Sequence, residues 1–208
     1  METARIAQLL QPFVQLDEIR LAAISKYIDL LLKWNARINL TAIRAPEEIV
    51  QRHFGESLFA AKHLLAQSPV RTAIDLGSGA GFPGVPLALL APEVEVTLIE
   101  SNQKKSTFLR ELTYLLGLRN VKVFSGRAES YPQLADLVLL RAVEKFGEVL
   151  PLALKLLSPT GRLALMIGAS QVDLAKSLVQ GVQWQESLAI PSGHSRVLLV
   201  GTKVLKVE

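Results

Sequence analysis

With 208 residues, half of them apolar, the chain is long enough to bury the core of one sizeable domain. It has no cysteine, which excludes disulfides, thiolate nucleophiles and Cys-ligated zinc or iron–sulfur sites, and its three histidines are too scattered to foretell a metal centre. The net charge of +4 is a mild basic bias, which permits a polyanionic partner without demanding one.

Residues 1–69 read as a helical extension packed on the remainder. A short helix is predicted over Thr3–Leu10, ending near Pro12. Asp17 is placed to cap a longer helix over Glu18–Ile38, in which Leu21, Ile24, Ile28 and Leu31 recur at helical spacing. Pro46 opens a third helix with Glu47 and Glu48 in its first turn. Its apolar stripe is Val50, Phe54, Leu58, Ala61 and Leu65, and Ser68-Pro69 breaks it. Met1–Arg5 lacks the pattern of a signal peptide, and no apolar run nears the roughly 18 residues that span a bilayer, so a cytoplasmic protein is expected.

From Val70 to the end, residues 70–208, strands and helices alternate as one globular unit. Strands are predicted at Ala73–Leu76, Val94–Ile99, Val121–Phe124, Leu137–Leu140 and Leu163–Ile167, the last entered through a turn at Pro159-Thr160-Gly161. Helices are predicted at Pro86–Ala91, Lys104–Leu116 (stopped by Gly117), about Glu144–Leu157, and Val172–Val179. Trp184–Ile190 and Val197–Lys203 form an antiparallel hairpin around Pro191-Ser192-Gly193. The class is α/β: a mostly parallel open sheet with helices on both faces and a C-terminal antiparallel hairpin. Ligands in such sheets bind at the C-terminal strand ends, where the strand order reverses.

The stretch Ala73-Ile74-Asp75-Leu76-Gly77-Ser78-Gly79-Ala80-Gly81-Phe82-Pro83-Gly84 reads as a buried strand, an acid at its end and a glycine-rich turn into a helix. Glycines let a backbone turn tightly and come close to a ligand. Gly79-x-Gly81-x-x-Gly84 matches the dinucleotide fingerprint formally, but Asp75 and Gly77 precede it and Pro83 stiffens its middle. A P-loop fails because Val85 stands where lysine is needed. A carboxylate beside this loop suits an amine or a positive centre better than a pyrophosphate. S-adenosylmethionine has both.

Glu100, ending the second strand, is placed to accept the hydroxyls of a ribose; a solvated strand-end carboxylate is the alternative. The turn Gly126-Arg127-Ala128-Glu129 either reaches an adenine ring or is an ordinary turn. Arg141, ending the buried run Leu137–Leu140, sits where the reacting end of a methyl donor would lie, or else pairs with Asp136 or Glu144.

Together these residues resemble the family of bacterial ribosomal RNA small subunit methyltransferase G, also called glucose-inhibited division protein B. Further matching segments are Trp34-Asn35-x-x-Ile38-Asn39-Leu40-Thr41, Arg52-His53-x-x-x-Ser57, Lys104-Lys105-x-x-Phe108-Leu109 and Arg141-Ala142. The resemblance implies a Rossmann-like class I methyltransferase sheet. It also implies transfer of a methyl group from S-adenosylmethionine to N7 of one guanine in small-subunit RNA, free or in an assembling subunit. It places Gly77, Phe82, Ala128, Glu129 and Arg141 in the donor site; the residue reading adds Asp75, Gly79, Gly81 and Glu100.

Guanine N7 carries no proton, so no general base is needed, and no catalytic residue is assigned beyond Arg141 as a positioning candidate. Arg52, His53, Lys104, Lys105 and Arg196 are expected to contact RNA, with Arg37, Arg44, Arg110 and Arg127 as further phosphate candidates. Relatives commonly end the fifth strand with Leu-Lys-Gly. Here Ile167 replaces the lysine, so a cation facing RNA there would have to come from elsewhere. A monomer without metal or membrane contact is expected. Competing readings are a methyltransferase of another substrate class, a non-catalytic RNA-binding assembly factor with a retained pocket, and a nicotinamide oxidoreductase, which Asp75 disfavours.

Overall fold

In a computed structural model, which describes residues 1–142, 146–191 and 195–204, the first helices form where their caps and stripes put them. Helix α1 covers Thr3–Leu10. Helix α2 (Glu18–Asn35) starts at Asp17, whose carboxylate accepts the Arg20 N–H at 2.8 Å. It stops short of the predicted Ile38 because Asn35 turns the chain back: its Oδ1 accepts the N–H groups of Leu40 at 2.9 Å and Thr41 at 3.0 Å.

The third predicted helix is a rod with an unpredicted middle. Helix α3 (Pro46–Glu48) runs into a π-helical stretch, Ile49–Gly55, and then into α4 (Glu56–Gln67). Such wide turns recur at functional sites. Val50, Phe54, Leu58 and Ala61 of the predicted stripe are buried.

The remainder alternates as expected. It comprises β1 (Thr72–Leu76), α5 (Gly84–Leu90), β2 (Glu95–Glu100), α6 (Gln103–Leu115), β3 (Val121–Ser125), β4 (Ala135–Arg141), α7 (Phe146–Lys155) and β5 (Leu157–Gly168). Helix α8 (Val172–Leu178), β6 (Val182–Trp184), β7 (Leu188–Ala189) and β8 (Arg196–Lys203) complete it.

The predicted turn at 159–161 lies inside β5 as a register irregularity, since Ala135 pairs with Leu157 but Leu137 with Arg162. The predicted strand Trp184–Ile190 is instead two short strands, β6 and β7, both antiparallel to β8. Glu144, Ser192 and Gly193 lie outside the described residues.

The sheet order is β3-β2-β1-β4-β5-β8-β6, parallel from β3 to β5 and antiparallel where β8 joins. The order reverses between β1 and β4, so the loops after these two strands flank the crevice where ligands bind in this architecture.

Strand alternation splits the interior in two. Ala73, Leu98, Leu137, Leu139 and Met166 face a core shared with the N-terminal helices; Ile74, Leu76, Val138, Leu140 and Ile167 face the opposite core, under α7 and α8. Period two therefore puts Asp75, Glu100 and Arg141 on the face covered by the helical extension. Among the described residues no helix is long and apolar enough to cross a membrane.

Candidate active site

The loop after β1 holds three glycines at positive φ: Gly77 at +73°, Gly79 at +55° and Gly81 at +90°. They serve two purposes. A Cβ on Gly81 would lie 2.5 Å from the Tyr27 hydroxyl oxygen, and one on Gly84 would lie 2.7 Å from Asp75 Oδ2, so these two let the loop pack down. A Cβ on Gly77 would meet nothing within 4 Å, and one on Gly79 only the Gly77 carbonyl oxygen at 3.8 Å, so these two keep a cradle open above the loop.

Hydrogen bonds pin the loop from every side. Gly77 and Ser78 N–H both donate to the Ile99 carbonyl at 3.0 Å. Ser78 Oγ donates to the Asp75 carbonyl at 2.8 Å, and the Tyr27 hydroxyl donates to that of Ala80.

Asp75 is read from the sequence as a ligand contact, but the structure places its carboxylate beneath the loop. It is 1% exposed, and Oδ2 accepts the Gly84 N–H at 2.9 Å. There it holds the loop against β1. Burial pushes its pKa from the ordinary 3.8 up to about 7, against the lowering effect of the Gly84 N–H. Gly81 likewise works by packing, not by facing the cradle.

Two clefts meet at Gly77. The smaller, about 230 Å³, is lined by Glu100, Ser101, Gly126, Ala128 and Glu129. It brings together the predicted ribose and adenine residues. Glu100 is 7% exposed; its Oε2 accepts the Gly79 N–H at 2.9 Å and its Oε1 the Asn102 N–H at 2.8 Å. The larger cleft, about 480 Å³, gathers Gly79, Phe82, Arg141, Arg52, His53, Lys105 and Arg196 of the predicted set, along with Thr41 from the extension. Lys104 faces a third cleft, of about 390 Å³, with Arg37, Arg44 and Lys105. Among the described residues no group of metal-ligating side chains stands together.

The floor of the larger cleft is a chain of contacts across the two parts of the protein. Arg141 pairs with Glu56, Nη2 to Oε2, at 2.9 Å; their side chains are 9% and 3% exposed. Of the two expected partners, Asp136 instead accepts the N–H groups of Arg71 and Thr72, and Glu144 lies outside the described residues. Arg141 also donates to the Arg52 carbonyl and, at 2.8 Å, to Nδ1 of His53.

His53 stacks on Phe82 at 4.8 Å, and Phe82 stacks in turn on Tyr27 at 5.1 Å. Burial, reinforced by the cations of Arg141, Arg52 and Arg196, holds the His53 pKa down to about 3 from its ordinary 6.5. The imidazole is neutral at physiological pH. Arg52 is shared with Glu48 at 2.8 Å, which leaves Lys105 and Arg196 without a carboxylate partner among the described residues.

Ile167 is 1% exposed and faces the α7–α8 core, on the sheet face opposite Arg141. A residue there does not reach the crevice, which corrects the expectation of an RNA-facing position. Glu56 and Thr41 are the site residues missing from the sequence-derived set, although both lie within segments that carry the resemblance.

The family described as rRNA small subunit methyltransferase G matches residues 20–196. The chain belongs to that family. Relatives so named include one from Chromobacterium violaceum, 37% identical over 193 residues and 91% of both chains. Another, from Neisseria meningitidis serogroup B, is 41% identical over 157 residues, 75% of this chain and 74% of the relative. Solved structures with the same fold include a ribosomal protein L11 methylase from Lactobacillus delbrueckii (TM-score 0.62, 14% identity, 74% of this chain and 79% of that one). An O-methyltransferase dependent on S-adenosylmethionine from Thermotoga maritima also matches (TM-score 0.59, 20% identity, 86% and 72%). The fold is therefore the class I Rossmann-like methyltransferase fold, and family membership makes the chain an rRNA methyltransferase.

Proposed function

We propose that the chain transfers the methyl group of S-adenosylmethionine to N7 of a guanine in small-subunit ribosomal RNA. The observation that carries this reading is the open cradle over Gly77 and Gly79, placed between a carboxylate-lined cleft and a cleft with an electrically balanced floor. A nucleoside with a cationic tail fits that sequence of surfaces. Glu100 and Glu129 supply acceptors for hydroxyls and an exocyclic amine, and Gly77 and Gly79 give way to backbone approach. The donor, when bound, supplies an electrophilic methyl on a sulfonium.

The chain's own groups then position the acceptor and keep water away. Guanine N7 has an in-plane lone pair and no proton, so nothing has to act as a base, and the neutral, fully engaged His53 is not called on to be one. Arg141, with its charge balanced by Glu56, presents N–H groups to an acceptor such as a carboxylate without confronting the sulfonium as a bare cation. Holding two reactants in a near-attack geometry lowers a barrier by as much as about 7–11 kcal/mol in favourable cases. N7 lies in the deep major groove of A-form RNA, out of side-chain reach, so the target is an unpaired or extruded guanine. Lys105 and Arg196 at the mouth, with Arg37, Arg44 and Lys104 beside it, suit phosphates.

The test is incubation of the purified protein with small subunits, or their naked RNA, and methyl-labelled donor, followed by mapping of the labelled nucleotide. A single 7-methylguanine, with binding that weakens steeply as salt rises, is the expected result. Label on another atom, or on protein or a small molecule, refutes the reading.

A further inference from the structure

Thr41 brings to the larger cleft a hydroxyl whose acceptor positions are taken by its neighbours, unlike Ser78, whose Oγ already donates to the Asp75 carbonyl. Arg141 has only protons to give, so its contact with His53 at 2.8 Å makes Nδ1 the acceptor and leaves the imidazole proton on Nε2. That Nε2–H donates to Thr41 Oγ1 at 2.7 Å, and the Ile43 N–H donates to the same oxygen at 3.1 Å. Both lone pairs of the hydroxyl are spent. Its own proton has no acceptor among the described residues, and Thr41 lines the cleft.

The position is held firmly. Asn35, 4% exposed, accepts the Thr41 N–H at 3.0 Å and donates to the Thr41 carbonyl at 3.0 Å. A fixed donor that is unable to accept is a selective instrument.

Resting on the guanine reading above, we infer that Thr41 reads the target base by donating its hydroxyl proton to guanine O6, beside the reacting N7. The chemistry of the base edge supports this. Guanine presents two neighbouring acceptors there, O6 and N7, whereas adenine presents N7 beside an N6 amine. N7 must keep its lone pair for the methyl, so a donor that orients the base has O6 to use. Adenine would set its amine against a hydroxyl with no lone pair to spare. His53 thus acts as a positioning residue, passing the fixed orientation of Arg141 on to Thr41.

The test is a four-way comparison with the full-length protein, using small-subunit RNA carrying either guanine or 2-aminopurine at the mapped position. 2-Aminopurine keeps N7 and the 2-amine but lacks O6. Thr41→Val should lower kcat/KM on guanine RNA by about ten- to a hundredfold. It should barely change kcat/KM on 2-aminopurine RNA, and Thr41→Ser should restore guanine activity. Thr41→Ala repeats the comparison if valine disturbs the segment. Equal losses on both RNAs, or full turnover by Thr41→Val, overturn the assignment to Thr41. A loss of donor affinity by calorimetry overturns it too, because the hydroxyl would then serve the donor's carboxylate. Wild-type protein that methylates no guanine N7 refutes the substrate reading itself, a result distinct from the others.

Discussion

Two buried groups in the site titrate in opposite directions, and their effects on stability should conceal one another. Burial raises the Asp75 pKa from 3.8 to about 7. Between those values the folded state binds more protons than the unfolded chain, so stability falls as pH rises, by up to about 1.4 kcal/mol per unit. His53 is lowered from 6.5 to about 3, mainly by burial. Across that window the unfolded chain binds more protons, so stability rises with pH at a similar rate. From pH 4.5 to 6.5 each contribution amounts to roughly 2–3 kcal/mol at most, with opposite signs. In the wild type they nearly cancel.

Single substitutions should expose them. Asp75→Asn removes the falling contribution, so its stability relative to wild type should rise by roughly 2–3 kcal/mol at most between pH 4.5 and 6.5 and level off above about pH 7.5. His53→Gln should show the mirror image, falling relative to wild type across the same window. Urea denaturation at half-unit intervals, with free energies extrapolated to water, reads both curves. Comparing each variant with wild type cancels the remaining titrating groups. A difference between Asp75→Asn and wild type that stays flat within about 0.5 kcal/mol across the window would refute the buried, proton-holding carboxylate beneath the loop.

The glycine loop separates packing from access. Gly81→Ala, with its Cβ 2.5 Å from the Tyr27 oxygen and φ at +90°, should lose about 2–4 kcal/mol in denaturant titration. Gly79→Val, strained by φ at +55° but with its Cβ in open space, should lose about 1–2 kcal/mol, less than Gly81→Ala, yet abolish S-adenosylmethionine binding by calorimetry; unchanged affinity would remove the cradle from the donor site. Glu56→Gln strands the Arg141 charge and should cost about 3–5 kcal/mol, whereas Glu56→Gln with Arg141→Met should cost less than the two single changes summed; strict additivity would deny the coupling. Ile167→Lys should lower the thermal midpoint by burying an unpaired ammonium and leave the salt dependence of RNA binding unchanged.

How much of this was legible in the sequence depended on how far apart the deciding residues lie. Asp17 and the Pro46 helix start are local signals, and they were readable. So was the glycine loop, because positive φ and close approach leave few residue choices. Arg141 shows where reading stops. Asp136, near it in sequence, is a natural partner, but among the described residues the carboxylate that meets it is Glu56, 85 residues away on a helix of the extension. Only the docking of α4 against the β4 end reveals the pair. The π-helical stretch carried no signal, since its periodicity over seven residues is indistinguishable from an ordinary helix. Which face position 167 takes is decided by a single residue of strand alternation: Met166 faces the extension and Ile167 faces away.

The charge layout gives a reason for the extension to take part in the proposed site. A site for a sulfonium whose product is a cationic base has to avoid fixed positive charge at its floor, yet a site for RNA has to offer it at the mouth. In the proposed site the sheet alone supplies Arg141, which is the wrong sign. Glu56, from α4, cancels it at 2.9 Å, and His53, from the π-helical turn, stays neutral because its burial, and after that the same arginine, resist protonation. Removing the extension's carboxylate would therefore do more than loosen the fold. It would leave a bare cation facing the sulfonium in a medium far less screening than water. Donor affinity of Glu56→Gln should accordingly fall while that of Glu56→Asp is largely kept, measured by calorimetry under conditions where both remain folded. Equal affinities for the two variants would mean that the balance of charge, and with it the reason for joining helices to sheet at this point, has been misjudged.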